Sequence, residues 1–387
     1  MSNDHLLDLC VQRAQASPSQ DPSCDKHYLV IADENTLSSL DVLQQLGDNT
    51  QVYTNRFDVH QHCQNIGLKC VFNDYKFDDY IFDGTNPETQ LDSIIFRISK
   101  ERGTSHYVLN WAKKLLPAGG ELIIAGKKNE GIKSYYSNAV KVLGFSGKIE
   151  KHKDNYVVIL RAPSSESEKT LDDKNYASTQ ETVNVNGLSC QSKPGIYGWN
   201  KLDQGSQLLA EHFKACLAKN RKQNTDTTKL LDIGCGYGYL SIIAAQANIK
   251  HIVATDNNAA AVSHCQTNLE RLQAQLKTQA PDDDSVPFEF EVSADDCGQN
   301  IDQKFNWILC NPPFHQGFDT SKALTEKFVA SAKRLLSRSG TALFVVNSFI
   351  PIETVAHAHF SQVTMLENTG QFKIIQLNHP LQSARKK

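Results

Sequence analysis

Residues 230–238 read LLDIGCGYG, an apolar run that passes into glycines at alternate positions. A short apolar run bounded by glycines is typical of a buried strand. Glycine is needed where the backbone turns tightly or lets a ligand approach without a Cβ in the way. The next segment, Leu240–Ala247, has a helical pattern, and the N-terminal amides of a helix can meet an anionic group. Strand, glycine loop and helix in this order predict the start of a doubly wound α/β domain.

The spacing of the glycines indicates what kind of ligand the loop binds. A dinucleotide fingerprint reads G-x-G-x-x-G, whereas this loop reads G-x-G-x-G with Asp232 two residues before its first glycine. A carboxylate there is unfavourable beside a pyrophosphate and favourable beside an ammonium group. We therefore predict that Asp232, Gly234, Gly236 and Gly238 bind the amino-acid-like end of a cofactor. The alternative is a glycine-rich turn with no ligand.

Two further acids follow the next strands. Asp256 comes directly after the apolar run His251–Thr255, about twenty residues beyond the loop, where an acid binds ribose hydroxyls. Its alternative role is to cap the next helix. Asp295 follows Phe288–Ser293 and is placed to meet an adenine amino group, although capping explains it equally well. Together these features predict an adenosine-containing cofactor.

The rest of this half continues the alternation of strands and helices and predicts a parallel sheet that ends in an antiparallel hairpin. The predicted strands are Lys229–Ile233, Pro287–Val292, Trp307–Cys310 and Thr341–Asn347. The further predicted helices are Ala259–Leu272 and Ser321–Leu336, and the hairpin covers Val363–Leu377. The acidic stretch from Gln275 to Ser285 is predicted to be a solvated loop. An Asn186-Gly187 pair between alternating runs predicts a β-hairpin where this half begins.

The first half resembles a degenerate copy of the second. Leu115–Ile124 parallels Leu335–Phe344, and Phe77–Asp83 parallels Phe305–Asn311. The copy has no glycine loop after its first strand, Tyr28–Ala32, so we predict that it is catalytically silent. Polar composition marks a linker between the halves. The predicted division is a first domain at 1–162, a linker at 163–181 and a second domain at 182–387.

Composition and charge limit the classes of protein to consider. At roughly 150 residues per domain, 387 residues suggest two or three domains, and 40% hydrophobic residues are enough for ordinary cores. The sequence has neither an apolar run of membrane-spanning length nor a signal-peptide pattern. We therefore expect that the protein is not a membrane protein and is not secreted. Ten scattered cysteines without metal-ligand spacing indicate reduced thiols in a cytoplasm and no metal. A net charge of −3 gives no support for nucleic acid as a partner but leaves local basic patches possible.

The most specific signal is the tetrapeptide Asn311-Pro312-Pro313-Phe314, which directly follows an apolar strand. Prolines fix φ and lack an N–H, so nearby carbonyls can point outward without joining a sheet ladder. The Asn311 side-chain oxygen and the Pro312 carbonyl can then accept hydrogen bonds from one planar NH2 group, and Phe314 offers a face for a flat ring. We predict Asn311, Pro312 and Phe314 as catalytic residues. The alternative is a Pro-Pro segment that only ends the strand.

The loop and this tetrapeptide resemble class I S-adenosylmethionine-dependent methyltransferases that methylate amino groups. Residues 193–197, 202–209, 311–317 and 367–373 resemble the ribosomal RNA guanine-N2 methyltransferases, those of the small subunit more than those of the large subunit. Residues 86–88 and 126–134 resemble the degenerate N-terminal domain of that family. The chain departs from the family at 197–199, where Tyr-Gly-Trp stands in place of the usual Phe-Ser-Arg. The fold implied is two tandem class I (Rossmann-like) methyltransferase domains, the N-terminal one degenerate.

The resemblance implies S-adenosyl-L-methionine as cofactor and methylation of the exocyclic N2 of a guanosine in 16S rRNA. The substrate would be ribosomal RNA, within the small subunit or an assembly intermediate, and the protein would act as a cytoplasmic monomer. The same reaction on 23S rRNA is the nearest alternative. A dehydrogenase, a protein-glutamine methyltransferase (whose tetrapeptide normally ends in Tyr) and a DNA-adenine methyltransferase fit less well. A non-catalytic RNA-binding or assembly factor is the alternative from a different class of function. Such a factor would be expected to have lost the catalytic residues in both halves, whereas only the first half has lost them. We also expect residues 113–161, with ten basic and four acidic side chains, to contribute to RNA binding.

Overall fold

The structure, a computed structural model, describes residues 5–17, 26–77, 91–99, 101–164, 168–219, 227–279, 287–313 and 318–382, and for 318–321 the backbone alone. The chain forms two compact units, Met1–Ser178 and Thr179–Lys387. Among the described residues no helix combines the length and the apolar composition needed to cross a membrane.

The first unit is an α/β domain. Its elements are α1 (Leu6–Ala16), β1 (Tyr28–Ala32), a 3-10 segment (Leu37–Leu46), β2 (Thr50–Thr54), α2 (Phe57–Asn65), β3 (Lys69–Phe72), β4 (Ser93–Arg97), α3 (Arg102–Leu115), β5 (Glu121–Lys127), a 3-10 turn (Lys128–Glu130), α4 (Ile132–Lys141), β6 (Ser146–His152) and β7 (Asn155–Arg161). The strands form one sheet in the order β3-β2-β1-β4-β5-β7-β6. Strands β1 to β5 are parallel, and the β6–β7 hairpin is antiparallel.

The second unit repeats this arrangement after a separate hairpin. Its elements are β8 (Gln180–Val185), β9 (Leu188–Ser192), α5 (Gln204–Lys219), β10 (Lys229–Ile233), α6 (Tyr239–Gln246), β11 (His251–Asp256), α7 (Ala259–Gln279), β12 (Glu289–Ala294), β13 (Phe305–Cys310), α8 (Phe318–Leu335), β14 (Leu336–Asn347), α9 (Ile352–Ala356), β15 (Phe360–Asn368) and β16 (Phe372–Pro380). The sheet order is β12-β11-β10-β13-β14-β16-β15, which is the order of the first unit. The predicted fold class, two tandem Rossmann-like domains, is confirmed.

Apolar side chains cover both faces of the second sheet. Along β10, Leu230 packs into one core cluster, and Leu231 and Ile233 pack into the cluster on the other face. Burial on both faces is the reason that these strands are continuous apolar runs, as expected for a parallel sheet. Each fully buried large apolar side chain contributes about 1.5–3 kcal/mol of hydrophobic stabilisation.

The hairpin predicted around Asn186-Gly187 is confirmed as β8–β9. Asn186 and Gly187 both have positive φ, 49° and 91°, which is the conformation that a tight two-residue hairpin turn requires. The C-terminal hairpin, β15–β16, turns at Thr369-Gly370 as predicted. Helix α7 continues to Gln279, so the start of the predicted acidic loop is helical, and residues 280–286 lie outside the described residues.

The structure corrects the predicted repeat between the halves. The strand beside β1 is β4, Ser93–Arg97, and it occupies the place that β13 has beside β10. The block predicted to match β13, Phe77–Asp83, lies outside the described residues apart from Phe77. The prediction was wrong because it compared short apolar runs, while the position of a strand in a sheet depends on long-range pairing.

The predicted linker is partly incorporated into the first unit. Leu171 and Tyr176 are buried in its core. The Asn110 side chain makes two hydrogen bonds to the backbone of Leu171. Its Nδ2 donates to the Leu171 carbonyl at 3.0 Å, and its Oδ1 accepts from the Leu171 amide at 2.8 Å. The polar residues around these two apolar anchors gave the segment a linker-like composition.

Candidate active site

Three neighbouring strands bring the predicted site residues to one edge of the second sheet. Ile233, which ends β10, pairs with Thr255 of β11 on one side and with Cys310 of β13 on the other. The residues that follow these strand ends include Gly234, Asp256 and Asn311. The carboxyl edge of a parallel sheet, where the strand order reverses, is where α/β domains bind ligands.

The glycine loop has the geometry for which its glycines were predicted. Gly234, Gly236 and Gly238 have φ of 79°, 55° and 96°, in the left-handed region that favours glycine. A Cβ on Gly238 would lie 2.9 Å from the Cys265 sulfur, too close for any other residue. The loop is held to the next strand by hydrogen bonds of 2.8 and 3.0 Å from the amides of Gly234 and Cys235 to the Thr255 carbonyl.

Asp256 is half-buried against this loop. Its Oδ2 accepts a 2.9 Å hydrogen bond from the Gly236 amide, and its Oδ1 accepts a 2.8 Å bond from the Asn258 amide. The cap of α7 is Asn258, whose Oδ1 accepts from the amides of Ala260 and Ala261 at 2.8 and 3.3 Å. Helix capping therefore does not account for Asp256. Its carboxylate borders the glycine loop, where the prediction of a ribose contact places it.

Asp232, which was predicted to meet the ammonium group of the cofactor, lies inside the fold. Its side chain is fully buried, and its Oδ2 accepts hydrogen bonds from the Ser241 amide at 3.1 Å and hydroxyl at 2.7 Å. Its Oδ1 is buried without a hydrogen-bond partner. Burial raises the pKa of Asp232 to about 7, although the bonds from Ser241 lower it. Asp232 thus supports the start of α6 from below the loop, because its position inside β10 points it into the fold.

Asp295 is also buried and engaged. Its Oδ1 accepts from the Gln299 amide at 2.7 Å, and its Oδ2 accepts from the Asn300 amide at 2.9 Å. Both oxygens of Asp295 are bonded to the turn that follows β12, which agrees with the capping alternative, and the adenine contact stays a prediction. Local turn formation after β12 therefore decides its orientation.

Asn311 is held by its amide nitrogen. Nδ2 donates to Asp203 Oδ2 at 2.9 Å and to Ser206 Oγ at 2.8 Å. Both protons of the amide are used in this way, so the remaining polar atom, Oδ1, is the one that can accept. Pro312 is buried and Pro313 is exposed, while Phe314 lies outside the described residues.

Sequence reasoning assigned no role to Asp203. It precedes α5 and caps it, because its Oδ2 accepts a 2.7 Å bond from the amide of Ser206. Its Oδ1 accepts a 2.8 Å bond from the Tyr197 hydroxyl. The spacing Asp-x-x-Ser before an apolar helix indicates a cap, but nothing local indicates contact with Asn311, which lies 108 residues later.

Among its described residues, the first unit lacks a counterpart of Asn311 at the same edge. Its fourth β1 residue, Ile31, pairs with Phe96, just as the fourth β10 residue, Asp232, pairs with Leu309. This correspondence places Ile98, which has no polar side-chain atom, at the position of Asn311. The preceding Arg97 is buried in an ion pair with Glu130, with 2.7 Å between Nη2 and Oε1.

A doubly wound sheet with a glycine loop at the end of β10 and an Asn-Pro-Pro segment at the end of β13 defines a class I methyltransferase domain. The family model "Methyltransferase small domain" matches residues 187–376, and "Methyltransferase small domain N-terminal" matches residues 21–165. The chain belongs to this methyltransferase family, and the predicted enzyme class is confirmed.

Named relatives agree with this assignment. The chain is 28% identical over 286 residues to ribosomal RNA small subunit methyltransferase C of Haemophilus influenzae (strain PittEE), covering 74% of this chain and 78% of the relative. The protein of the same name from Proteus mirabilis is 25% identical over 364 residues, covering 92% and 94%. Among solved structures, the T. thermophilus 16S rRNA N2 G1207 methyltransferase (RsmC), in complex with AdoMet and guanosine, has a TM-score of 0.73 at 19% identity, covering 98% of this chain and 92% of that one.

Proposed function

We propose that the protein transfers a methyl group from S-adenosyl-L-methionine to the exocyclic N2 of a guanosine in 16S rRNA. The observation that carries this proposal is the orientation of Asn311, whose side-chain nitrogen is tied to Asp203 and Ser206 so that its oxygen is left as an acceptor. Support comes from the relatives, which are named as small-subunit rRNA methyltransferases, and from the similar fold of a protein solved with AdoMet and guanosine.

The residues around the glycine loop fit the cofactor. A Cβ on Gly234 would meet no atom within 4 Å, so the backbone there borders open space. The loop amides and the start of α6 would hold the carboxylate of the amino-acid end. Asp256 would bind the ribose hydroxyls. Asp232 would act from beneath the loop by holding α6. When bound, S-adenosylmethionine supplies a methyl group attached to a positively charged sulfur. An amine nitrogen can attack this methyl group and displace the sulfur.

The acceptors at the end of β13 orient the nitrogen that attacks. The hydrogens of N2 would be donated to Asn311 Oδ1 and to the Pro312 carbonyl, which leaves the nitrogen lone pair directed at the methyl group. Holding both reactants in line is the main catalytic contribution, on the order of several kcal/mol. A strong base is not needed, because the proton becomes acidic as the N–C bond forms. Because pairing buries N2, the base must be unpaired or flipped out, and Phe314 is predicted to stack on it.

The first domain has a separate proposed role in binding RNA. Five exposed lysines lie around the end of β5, the start of α4 and the β6–β7 turn, and are called the basic surface here: Lys127, Lys128, Lys133, Lys151 and Lys153. In the sheet, Lys127 pairs with Asn155 and Lys151 with Tyr156, while the Lys133 ammonium lies 5.1 Å from the Tyr156 ring centroid. Of the acids beside it, Glu130 is neutralised by Arg97 and Asp154 is exposed. Exposed lysines can contact the phosphate backbone of a nucleic acid. We expect the reaction in the cytoplasm, by a monomer, on the small subunit or an assembly intermediate.

Mapping of N2-methylguanosine in rRNA from a deletion strain tests the proposed reaction and target together. We expect one 16S site to be unmodified in the deletion strain and to be restored by the wild-type gene. Asn311→Ala should bind S-adenosylmethionine normally yet lose methyl transfer by roughly 100-fold or more, because the acceptor for N2 is removed while the glycine loop and Asp256 are unchanged. A lost site in 23S rRNA would move the target to the large subunit, and full activity of Asn311→Ala would refute the mechanism.

A further inference from the structure

We propose that Tyr197 is a positioning residue for methyl transfer and acts on Asn311 through the Asp203 carboxylate. The proposal deepens the proposed function, since it concerns the orientation of the group that accepts the hydrogens of the attacking amine. It assigns a role to a side chain that lies within the segment 197–199, where the chain departs from the family pattern.

The contacts form a continuous path from Tyr197 to Asn311. The Tyr197 hydroxyl donates to Asp203 Oδ1 at 2.8 Å, and the Asn311 amide donates to Asp203 Oδ2 at 2.9 Å. Ser206 closes the arrangement twice, because its backbone amide donates to Asp203 Oδ2 at 2.7 Å and its hydroxyl oxygen accepts from Asn311 at 2.8 Å. The Asp203 carboxylate thus has donors on both oxygens, and this fixes its rotation.

Charge explains why this path determines the orientation of Asn311. A carboxylate accepts hydrogen bonds and repels another oxygen, so Asp203 selects the nitrogen of the Asn311 amide and turns its oxygen away. Hydrogen bonds to a charged acceptor are stronger than neutral ones. Loss of the donor on Oδ1 lets the carboxylate rotate and lets water compete for it, which loosens the Asn311 amide.

The tyrosine is suited to act as a permanent donor. Burial, then the hydrogen bond to Asp203, raises the pKa of Tyr197 well above its usual value. The phenol therefore keeps its proton over any working pH. Its side chain is nevertheless 54% exposed, so replacing the hydroxyl alone leaves no buried cavity.

Gly205 shows how closely this region is packed. A Cβ on Gly205 would lie 3.2 Å from Asp203 Oδ2 and 3.3 Å from the Phe372 ring. The absence of a side chain there lets α5 begin directly against β16 with Asp203 directed at Asn311. The backbone on the Asp203 side of the path is therefore closely packed, and Tyr197 supplies the side-chain contact to Asp203 Oδ1.

Tyr197→Phe tests the hydroxyl while keeping the ring. We expect kcat for methylation of 16S rRNA to fall about tenfold, which is one hydrogen bond's worth of positioning, with the KM for S-adenosylmethionine and the melting temperature unchanged. The matched control is Tyr136→Phe in the first domain, which removes a hydroxyl that donates to the Gly147 carbonyl at 3.0 Å. An unchanged kcat in Tyr197→Phe, or an equal loss in Tyr136→Phe, would overturn the proposal.

A double-variant cycle tests the route through Asp203. If Tyr197 acts only through this carboxylate, adding Tyr197→Phe to Asp203→Asn should cause less than a twofold further loss, because coupled residues are not additive. Tenfold losses that multiply would refute the route. Tyr197→Ala separates a contribution of the ring, since a loss equal to that of Tyr197→Phe assigns the whole effect to the hydroxyl.

A measurement that needs no activity distinguishes this proposal from the proposed function. In a 1H–15N spectrum of the full chain, the side-chain amide of Asn311, assigned by its absence in Asn311→Ala, should shift and broaden in Tyr197→Phe and not in Tyr136→Phe. An unchanged signal sinks the positioning role. Failure of the wild-type protein to methylate 16S rRNA, with the shift present, overturns only the proposed substrate.

Discussion

Among individual residues, Asp256 connects the glycine loop of the second domain with the segment that precedes α7. One carboxylate oxygen accepts a hydrogen bond from the Gly236 amide in the glycine loop, and the other accepts one from the Asn258 amide before α7. The carboxylate is only half-buried, unlike Asp232 and Asp295. Of the three acids predicted to meet the cofactor, it is the one with a partly exposed side chain, and its contact with the ribose stays a prediction.

Replacement of Asp256 by alanine should weaken S-adenosylmethionine binding by about 100-fold or more. The two proposed hydrogen bonds from the ribose hydroxyls to the Asp256 carboxylate would be lost. A hydrogen bond to a charged acceptor contributes about 1.5–3 kcal/mol. Isothermal titration calorimetry measures the change. Asp302→Ala, which removes an exposed acid of the same domain, is the control for charge. Unchanged affinity in Asp256→Ala would remove this residue from the site.

At the level of elements, the start of α6 depends on a buried acid. Asp232 sits within β10 and receives both the amide and the hydroxyl of Ser241. Because the carboxylate is fully buried, its charged form is disfavoured, and its pKa rises to about 7. In the unfolded chain the same group has a pKa of about 4. The folded state therefore binds a proton that the unfolded state releases between these two values.

This difference predicts how stability depends on pH. The contribution of Asp232 is fully present below pH 4 and is lost as pH rises through 7. Asp232→Asn keeps an acceptor for Ser241 without a charge, so its melting temperature should rise relative to the wild type between pH 5 and 8. Thermal unfolding followed by circular dichroism at both pH values checks this. A constant difference between the two proteins would show that Asp232 does not titrate in this range.

The limits of the elements show where local pattern stops being enough. The sequence predicts extended structure from Thr341, whereas β14 begins at Leu336. Its first residue pairs with Phe305 of β13 before the register shifts. Pairing with a neighbouring strand extends the element through the Ser-Arg-Ser-Gly segment, whose own preference is for a turn.

For the whole molecule, we propose that the two domains divide two tasks, methyl transfer and RNA binding. Both sheets have the same strand order, but only the second carries Asn-Pro-Pro at the end of its central strand. In the first domain, Ile98 and the Arg97–Glu130 ion pair occupy the corresponding edge. The proposed RNA contact is the basic surface, on β5, the turn after it, α4 and the β6–β7 hairpin.

Charge reversal on the basic surface tests this division in the full-length protein. Lys127→Glu with Lys151→Glu should weaken RNA binding by about tenfold at moderate salt and reduce the salt dependence, because phosphate contacts release counterions. Binding to a 16S rRNA fragment by fluorescence anisotropy measures both effects. The control pair, Lys69→Glu with Lys76→Glu, changes the charge equally and lies on or just after β3, at the opposite edge of the sheet. Equal weakening by both pairs would mean that only net charge matters.

The sequence by itself determined the features that depend on short stretches of backbone. Glycines that must take positive φ, prolines that end a strand and an Asn-Gly turn have the same requirement wherever they occur. The glycine loop, Asn311-Pro312 and both predicted hairpins were therefore predictable. Alternation of apolar strands and helices was likewise enough for the fold class, because each strand must bury both faces.

Only the tertiary structure decided which side chains meet. Asp203 and Asn311 lie 108 residues apart, and the packing of α5 against β14 and β16 brings them within hydrogen-bond distance. Pairing between distant strands likewise placed β4 beside β1, and the packing of the fold buried Asp232. Side-chain direction and strand neighbours are set by contacts across the whole chain, so no local pattern contains them.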